Sequence, residues 1–584
     1  NGIPFYGNTT NASMYTHDVT GTESSANRNT GYGYTALDAI TTGDENTAMG
    51  YGTLGALTTG AENVAIGREA LTSNTAGSKN VAVGHKALTA FNVGASDTYN
   101  TAVGHNVGLT MTSGTFNTLV GGNAGDALTT GSRNIAIGFG SLSLEDAHGR
   151  NVAVGHSTLA SLNAGADGNN TAIGFEAGYA MTTGVHNTVL GANSGAAVTT
   201  AIRNTLIGSV AGDAITTGNY NTAVGWGALT TSVDGDKNTA IGYLALSTYE
   251  DGSANGYNTA VGSESQAAAT TGEYNTSLGG RSMSVGAVTG DANVALGYLA
   301  GNNLTSGQTN TLIGTEAGDA LTTGSNNVAI GYAALTTEDA NGLNVAIGVG
   351  ALQTLNAGAD AYNVAVGMHA GLSMSTGIQN TIVGGLAGDA LTTGGKNVAI
   401  GHSALSTEDA HGNNVAIGYQ ALTSLNAGAD AHNVAVGFKT GEALTTGTLN
   451  TLVGGAAGDA LTIGQFNTAL GFNALGTSVD GDHNTAIGYQ ALFQYEEGDG
   501  NGFNTAVGSQ SQLNSTTGEF NTSLGSLSMG AGQTTGDNNV AIGYTAGEDL
   551  TTGATNVIIG ASAGKQITTS GGNVAVGYQS LFTE

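Results

Sequence analysis

Of the chain's 584 residues, 98 are glycine, one is proline (Pro4), one is tryptophan (Trp226) and none is cysteine, while 40% are hydrophobic and 9% charged. Near-absent proline and the lack of a three-residue glycine period exclude collagen, and the wealth of branched aliphatics excludes a disordered glycine-rich linker. A formal charge of −30 disfavours nucleic-acid and anionic-membrane partners. No cysteine means no disulfide and no thiolate metal site, and no apolar run reaches the roughly 18 residues of a membrane helix.

Residues 1–28, with Phe5 and Tyr6, precede any regular pattern and are expected to form an N-terminal cap or joint. No signal-like stretch follows Asn1, so a mature or partial chain is expected. From Asn29 to Asn573 the pattern Asn-[Thr/Val/Ile]-x-x-Gly recurs 32 times, mostly 17 residues apart and otherwise 18, 19 or 20. With the asparagine numbered 0, position +1 is β-branched in all 32 copies and +4 is always glycine. Position +3 is Ile, Val, Leu or Met in every copy but the first, which has Tyr32. Leu-Thr-Thr-Gly often closes the unit at +11 to +14.

Alternating β-branched and aliphatic residues predict a strand, and the glycines at +4 and +14 predict corners with positive φ. The expected fold is all-β: a parallel β-solenoid over 29–584 of about 32 rungs, each a strand, a corner, a second short strand and a turn. At about 4.8 Å per rung the stack would extend on the order of 150 Å. Asn63, Asn117 and Asn134 are expected in an asparagine ladder, with Gly67, Gly121 and Gly138 as the glycine corners.

A packing rule runs along the repeats. Position +2 is alanine in 22 copies and bulky in seven, and all seven bulky copies have glycine at +8, as in Leu119 with Gly125 and Leu312 with Gly318. Positions +2 and +8 therefore share one packed space. The rule runs one way, because six copies pair alanine at +2 with glycine at +8, as at Ala172 and Gly178. A segmental duplication relates 221–338 to 467–584.

The longer spacings place acidic turns that are expected to project and carry any recognition. "NAGAD" occurs at 163–167, 356–360 and 426–430, one rung after "EDAHG" or "EDANG" at 145–149, 338–342 and 408–412. Other acidic turns are "VDGD", "YEDG" at 249 and "YEEGDG" at 495. Asp146, Asp167, Asp234 and Asp236 are candidate calcium ligands by charge alone, outside any EF-hand pattern; no other cofactor is expected. Several histidines, among them His85, His105, His156 and His402, fall at +5 and read as surface residues. "GASAG" around Ser562 fits a nucleophile elbow, yet both its glycines are repeat positions and no strand-to-helix turn is expected. Adjacent threonines point to opposite faces, which disfavours an ice-binding array. No enzymatic activity is expected.

The segments "NVAIG" (63–67, 344–348, 414–418), "NVAVG" (80–84) and "NTAIG" (238–242) resemble the head repeats of trimeric autotransporter adhesins. The longer pattern TTGxxNTAxGxxAL resembles the repeats of bacteriophage and large-virus tail fibres. This resemblance covers nearly the whole chain. It implies a left-handed parallel β-roll, three chains side by side, and an extracellular or virion-surface attachment fibre without membrane insertion. The leading expectation is a phage or viral tail-fibre shaft meeting a cell-surface glycan or protein receptor. A bacterial trimeric surface adhesin and an extracellular structural filament are the alternatives. Glu584 is only position +11 of its repeat, so further chain, a removed domain or a partner is expected beyond it.

Overall fold

The structure is a computed structural model and describes residues 6–8, 12–16, 25–250, 252, 255–496 and 501–583. Pro4, Phe5, Asp251, residues 497–500 and Glu584 lie outside the described residues. The chain divides into two compact units, Asn1–Ala292 and Asn293–Glu584. Each is a parallel β-solenoid whose repeats coincide with its rungs, and no described residue is helical. The first unit holds strands β1 (Tyr6–Asn8), β2 (Ser13–Tyr15) and then β3 (Thr30–Tyr32) to β17 (Thr276–Leu278), one strand per rung. The second holds β18 (Val294–Leu296) to β34 (Val574–Val576) in the same manner.

Every described strand is three residues long, and from β3 on successive strands within each unit pair in register at the same repeat positions, as Thr118↔Ile135, Leu119↔Ala136 and Val120↔Ile137. Among the described residues the expected second strand of each rung is absent. After the glycine corner, +6 and +8 both take positive φ, as in Glu69 (59°) and Leu71 (50°), and this alternation breaks the extended run. Rung-to-rung bonding continues regardless, with the N–H groups of Leu54, Ala56 and Thr58 donating to Ala70, Thr72 and Thr75.

Position 0 is the staple of each rung. Asn117 is fully buried. Its Nδ2 donates to the Gly131 carbonyl at 2.9 Å, closing its own rung. Its backbone N–H donates to Oδ1 of Asn100 at 3.0 Å, and its own Oδ1 accepts the N–H of Asn134 at 2.9 Å. Asn63 does the same between Asn46 and Asn80, with Nδ2 on Gly77. The expected ladder is therefore present, but its rungs are joined chiefly from backbone N–H to side-chain oxygen. An amide suits the place because one group accepts from a neighbouring rung and donates across its own.

Glycine at +4 is compulsory for two reasons. Gly67, Gly121 and Gly138 have φ of 128°, 134° and 133°, values that L side chains rarely adopt. A Cβ on Gly121 would also stand 2.5 Å from the carbonyl oxygen of Gly138. The +14 glycines meet the expectation only in longer rungs, where Gly165, Gly252, Gly358 and Gly428 have φ of 64°, 65°, 68° and 69°. In the seventeen-residue rungs they lack positive φ and are small for space, since a Cβ on Gly60 would lie 2.5 Å from Gly77 O and 2.7 Å from Leu57 Cδ1.

The core is thin, built from +2, +7, +8 and +11. The alanines at +2 point inward and are buried, so their small size serves packing within the rung. The +2/+8 rule gains its missing half. A Cβ on Gly125 would lie 3.0 Å from Leu119 Cδ2, and one on Gly318 2.8 Å from Leu312 Cδ2, both within one rung. Gly441, whose own +2 residue is Ala435, would meet Leu452 Cδ1 of the following rung at 3.0 Å. Gly108 meets Leu119 at 3.0 Å and Gly371 meets Ile382 at 3.2 Å in the same way. All six alanine–glycine rungs directly precede a bulky one. Backbone strain does not explain these glycines, because leucine takes the same φ at +8 in other rungs, as Leu422 does at 51°. A leucine or isoleucine at +2 thus crowds +8 of its own rung and of the one before, whereas Gly178, before Val189, is crowded by Leu159 of the preceding rung at 2.9 Å.

In the first unit the hairpin β1–β2 is antiparallel, and β2 lies parallel beside β3. Ser13 Oγ accepts the N–H of Asn29, the role asparagine plays elsewhere. The buried Tyr15 ring would stand 2.9 Å from a Cβ on Gly31, so this rung alone has glycine at +2.

Gly441→Leu is expected to destabilise the fold by about 1–3 kcal/mol through overpacking. Adding Leu452→Ala should recover part of that loss. A double-mutant cycle by urea unfolding would show a coupling of about 1 kcal/mol or more, whereas strict additivity would contradict the shared-space rule.

Candidate functional site

Two surfaces of the rungs present chemistry: the outward strand face and the acidic turns. On the strand, +2 points inward, so +1 and +3 point out. Position +3 leaves large aliphatics at the surface, including Met49, Ile66, Ile137 and Leu190 in the first unit and Leu296, Leu470 and Leu524 in the second. The result is a file of apolar side chains repeated at each rung spacing.

Aromatic files flank it on both sides. At +5, 18 of 32 rungs carry Tyr, Phe, Trp or His, enough to bring like positions of adjacent rungs into contact. Phe139, His156 and Phe175 stack with centroids 5.5 Å apart, as do His402, Tyr419 and Phe438 at 5.7 and 5.5 Å. At −1 a second file includes Tyr99 stacked on Phe116 at 5.6 Å, with Lys79 and Arg133 over the two outer faces. Phe466, His483, Phe503 and Phe520 continue this file in the second unit. The +5 histidines, expected as surface residues, join these stacks. The signal was the spacing itself, since His85 and His105 are one rung apart and stack at 5.1 Å. Ring faces inside such stacks meet each other and only edges face outward, so these runs offer no flat platform to a sugar ring.

The turns are less outward than expected. Glu145, Glu338 and Glu408 occupy +11, the place of a core leucine, and are fully buried. Glu145 Oε1 accepts the N–H of His148 at 3.1 Å, while Oε2 accepts the N–H of Ala164 in the next rung at 3.2 Å. Glu338 bridges Asn341 to Ala357, and Glu408 bridges His411 to Ala427, in the same way. This corrects the reading of EDAHG as a projecting loop and explains why NAGAD follows one rung later. The NAGAD aspartates answer in reverse: Asp167, Asp360 and Asp430 accept the N–H groups of Gly149, Gly342 and Gly412.

The four calcium candidates are dispersed. Asp146 sits with Glu145 and His148, and its backbone carbonyl accepts the Thr129 hydroxyl. Asp167 is held by the Gly149 N–H and by Arg150 at 3.2 Å. Asp236 accepts the N–H of Asn219. Asp234 keeps one carboxylate oxygen buried beside Glu250, whose pKa is raised by burial and by the neighbouring Asp234. The threonines at +12 spend their hydroxyls on the next rung's carbonyl, as Thr58 does on Thr75 at 2.9 Å. Ser562 lies in a turn with its hydroxyl 3.0 Å from that of Thr545.

No protein-family model matches the chain, and no curated protein matches it.

Burial raises the pKa of Glu338 and Glu408, and likewise of Asp126, Asp213, Asp319, Asp389 and Asp459 at +9 of bulky rungs. A raised carboxyl binds more protons folded than unfolded, so its contribution is full below the ordinary value and is lost as pH rises through the folded one. The midpoint of thermal unfolding is therefore expected to be higher at pH 5 than at pH 7. A lower midpoint at pH 5 would contradict it.

Proposed function

We propose that the chain is the structural shaft of an attachment fibre, and that copies lie side by side through the outward strand face as a homotrimer of left-handed rolls. The observation carrying this reading is the half-exposed aliphatic file at +3, repeated in each unit and flanked by the aromatic files. Contiguous exposed apolar surface of this kind marks an interaction site. Three copies can turn the same file toward a shared three-fold axis, because rung positions of equal spacing match each other along their length.

A phage or viral tail fibre is the reading favoured here, on the resemblance of TTGxxNTAxGxxAL to such repeats. Within it, the rungs supply reach and the receptor, a glycan or protein on a cell surface, meets turns rather than the stacked rings. No catalytic role is proposed.

Light scattering on the purified chain tests the assembly. The expected mass is three times the 57.3 kDa of one chain, and a mass of one chain would overturn it. Glutamate at Ile66, Ile137, Ile173 and Leu190 together should shift the distribution toward single chains without changing far-UV circular dichroism.

A further inference from the structure

Two turns of identical design, one in each unit, carry an unused combination of donors. Glu145, Asp146 and His148 in the first, and Glu408, Asp409 and His411 in the second, bring one carboxylate oxygen from each acid and a ring nitrogen to within 4.8 Å of one another. The histidine Nδ1 atoms are buried and lack a hydrogen-bond partner in both copies. Each lies just beyond hydrogen-bond reach of the buried glutamate oxygen, 3.6 Å in the first turn and 3.5 Å in the second. An imidazole nitrogen shut away from water beside a buried carboxylate is costly unless something lies between them.

We propose that these two turns each bind a divalent transition-metal cation of the zinc class, through Glu Oε1, the aspartate carboxylate and histidine Nδ1. Zinc–nitrogen and zinc–oxygen bonds of about 2.0–2.1 Å place tetrahedral ligand atoms roughly 3.3 Å apart, within a few tenths of an ångström of the glutamate–histidine separations, and the aspartate oxygen lies within 4.8 Å of both. Each glutamate oxygen accepts one backbone N–H and has a second acceptor position left for a metal. Calcium fits poorly, since it takes six to eight oxygen ligands and gains little from imidazole. A fourth position stays open to water or to a group from outside the turn.

The chain contains its own control. The third turn of this design has Glu338 and Asp339 but Asn341 in the histidine's place, and Asn341 Nδ2 donates directly to Glu338 Oε1 at 3.2 Å. That amide satisfies the buried oxygen without a metal and offers no nitrogen lone pair. Asparagine is therefore tolerated at this position by the same turn, which makes His→Asn a substitution compatible with folding.

Zinc uptake by the full chain, measured by equilibrium dialysis, tests the assignment. The expected result is that His148→Asn with His411→Asn takes up two fewer zinc ions per chain than the unaltered protein, each single variant one fewer, and Asn341→His one more. Uptake unchanged by all of these substitutions would overturn the proposal. So would calcium uptake of three ions per chain that the histidine substitutions leave intact, because that would assign the turns to carboxylates alone. Circular dichroism of the variants confirms that the rungs remain folded.

Discussion

Everything in these solenoids depends on a buried amide. A rung of seventeen residues cannot enclose a core of its own, and its single three-residue strand is too short to hold a neighbour by β-bonding alone. The asparagine at position 0 solves both problems with one side chain: Nδ2 ties the end of the rung back to its start, and Oδ1 takes the backbone N–H of the next asparagine. Alanine would leave a buried N–H and a buried carbonyl without partners, at about 1–3 kcal/mol for each. Aspartate would keep the acceptor but turn an oxygen toward the Gly131 carbonyl. The invariance of asparagine within the chain follows from this double duty.

Close stacking then dictates the remaining small residues. Glycine at +4 yields to both a forbidden φ and a carbonyl of the next rung, whereas glycine at +14 of a seventeen-residue rung yields to space alone. Glycine at +8 is conditional, present in rungs that hold or precede a large +2 residue and replaced elsewhere by leucine, glutamine or methionine. Volume is thus conserved across pairs of rungs, not within one. Where a bulky residue appears, two rungs adjust together, which is how a repeat this thin tolerates variation without opening voids.

Much of this was legible because period and register are the same thing in a solenoid: once the asparagines were aligned, Asn117, Gly121 and the Leu119–Gly125 pair had assigned places. Gly108 was opaque because its reason, Leu119, lies in the next rung, beyond any comparison inside one repeat. Glu145 was misread for the opposite cause. Its acidity suggested a projecting loop, although its register, +11, is that of a core leucine. The absent second strand was hidden because leucine and glutamate do not advertise positive φ. The aromatic files escaped notice since each ring, taken alone, is an ordinary exposed residue, and only the spacing of one rung makes it a stack.

The functional reading rests on what the rungs leave uncovered. Inward positions are filled, turn hydroxyls and aspartates are spent on neighbouring backbone groups, and the +3 file stays apolar and exposed. The proposed shaft role draws on these features, assigning lateral contact to the +3 file and recognition to the turns. In these solenoids each rung is coupled to its two neighbours by the asparagine staple, and damage to one staple should stay local. Hydrogen exchange on Asn380→Asp, compared with the unaltered protein, tests it most directly, since Asn380 links Asn363, Gly394 and Asn397. The account predicts loss of protection confined to the rungs that begin at Asn363, Asn380 and Asn397. Uniform loss across the whole of the second unit, or no loss anywhere, would contradict it.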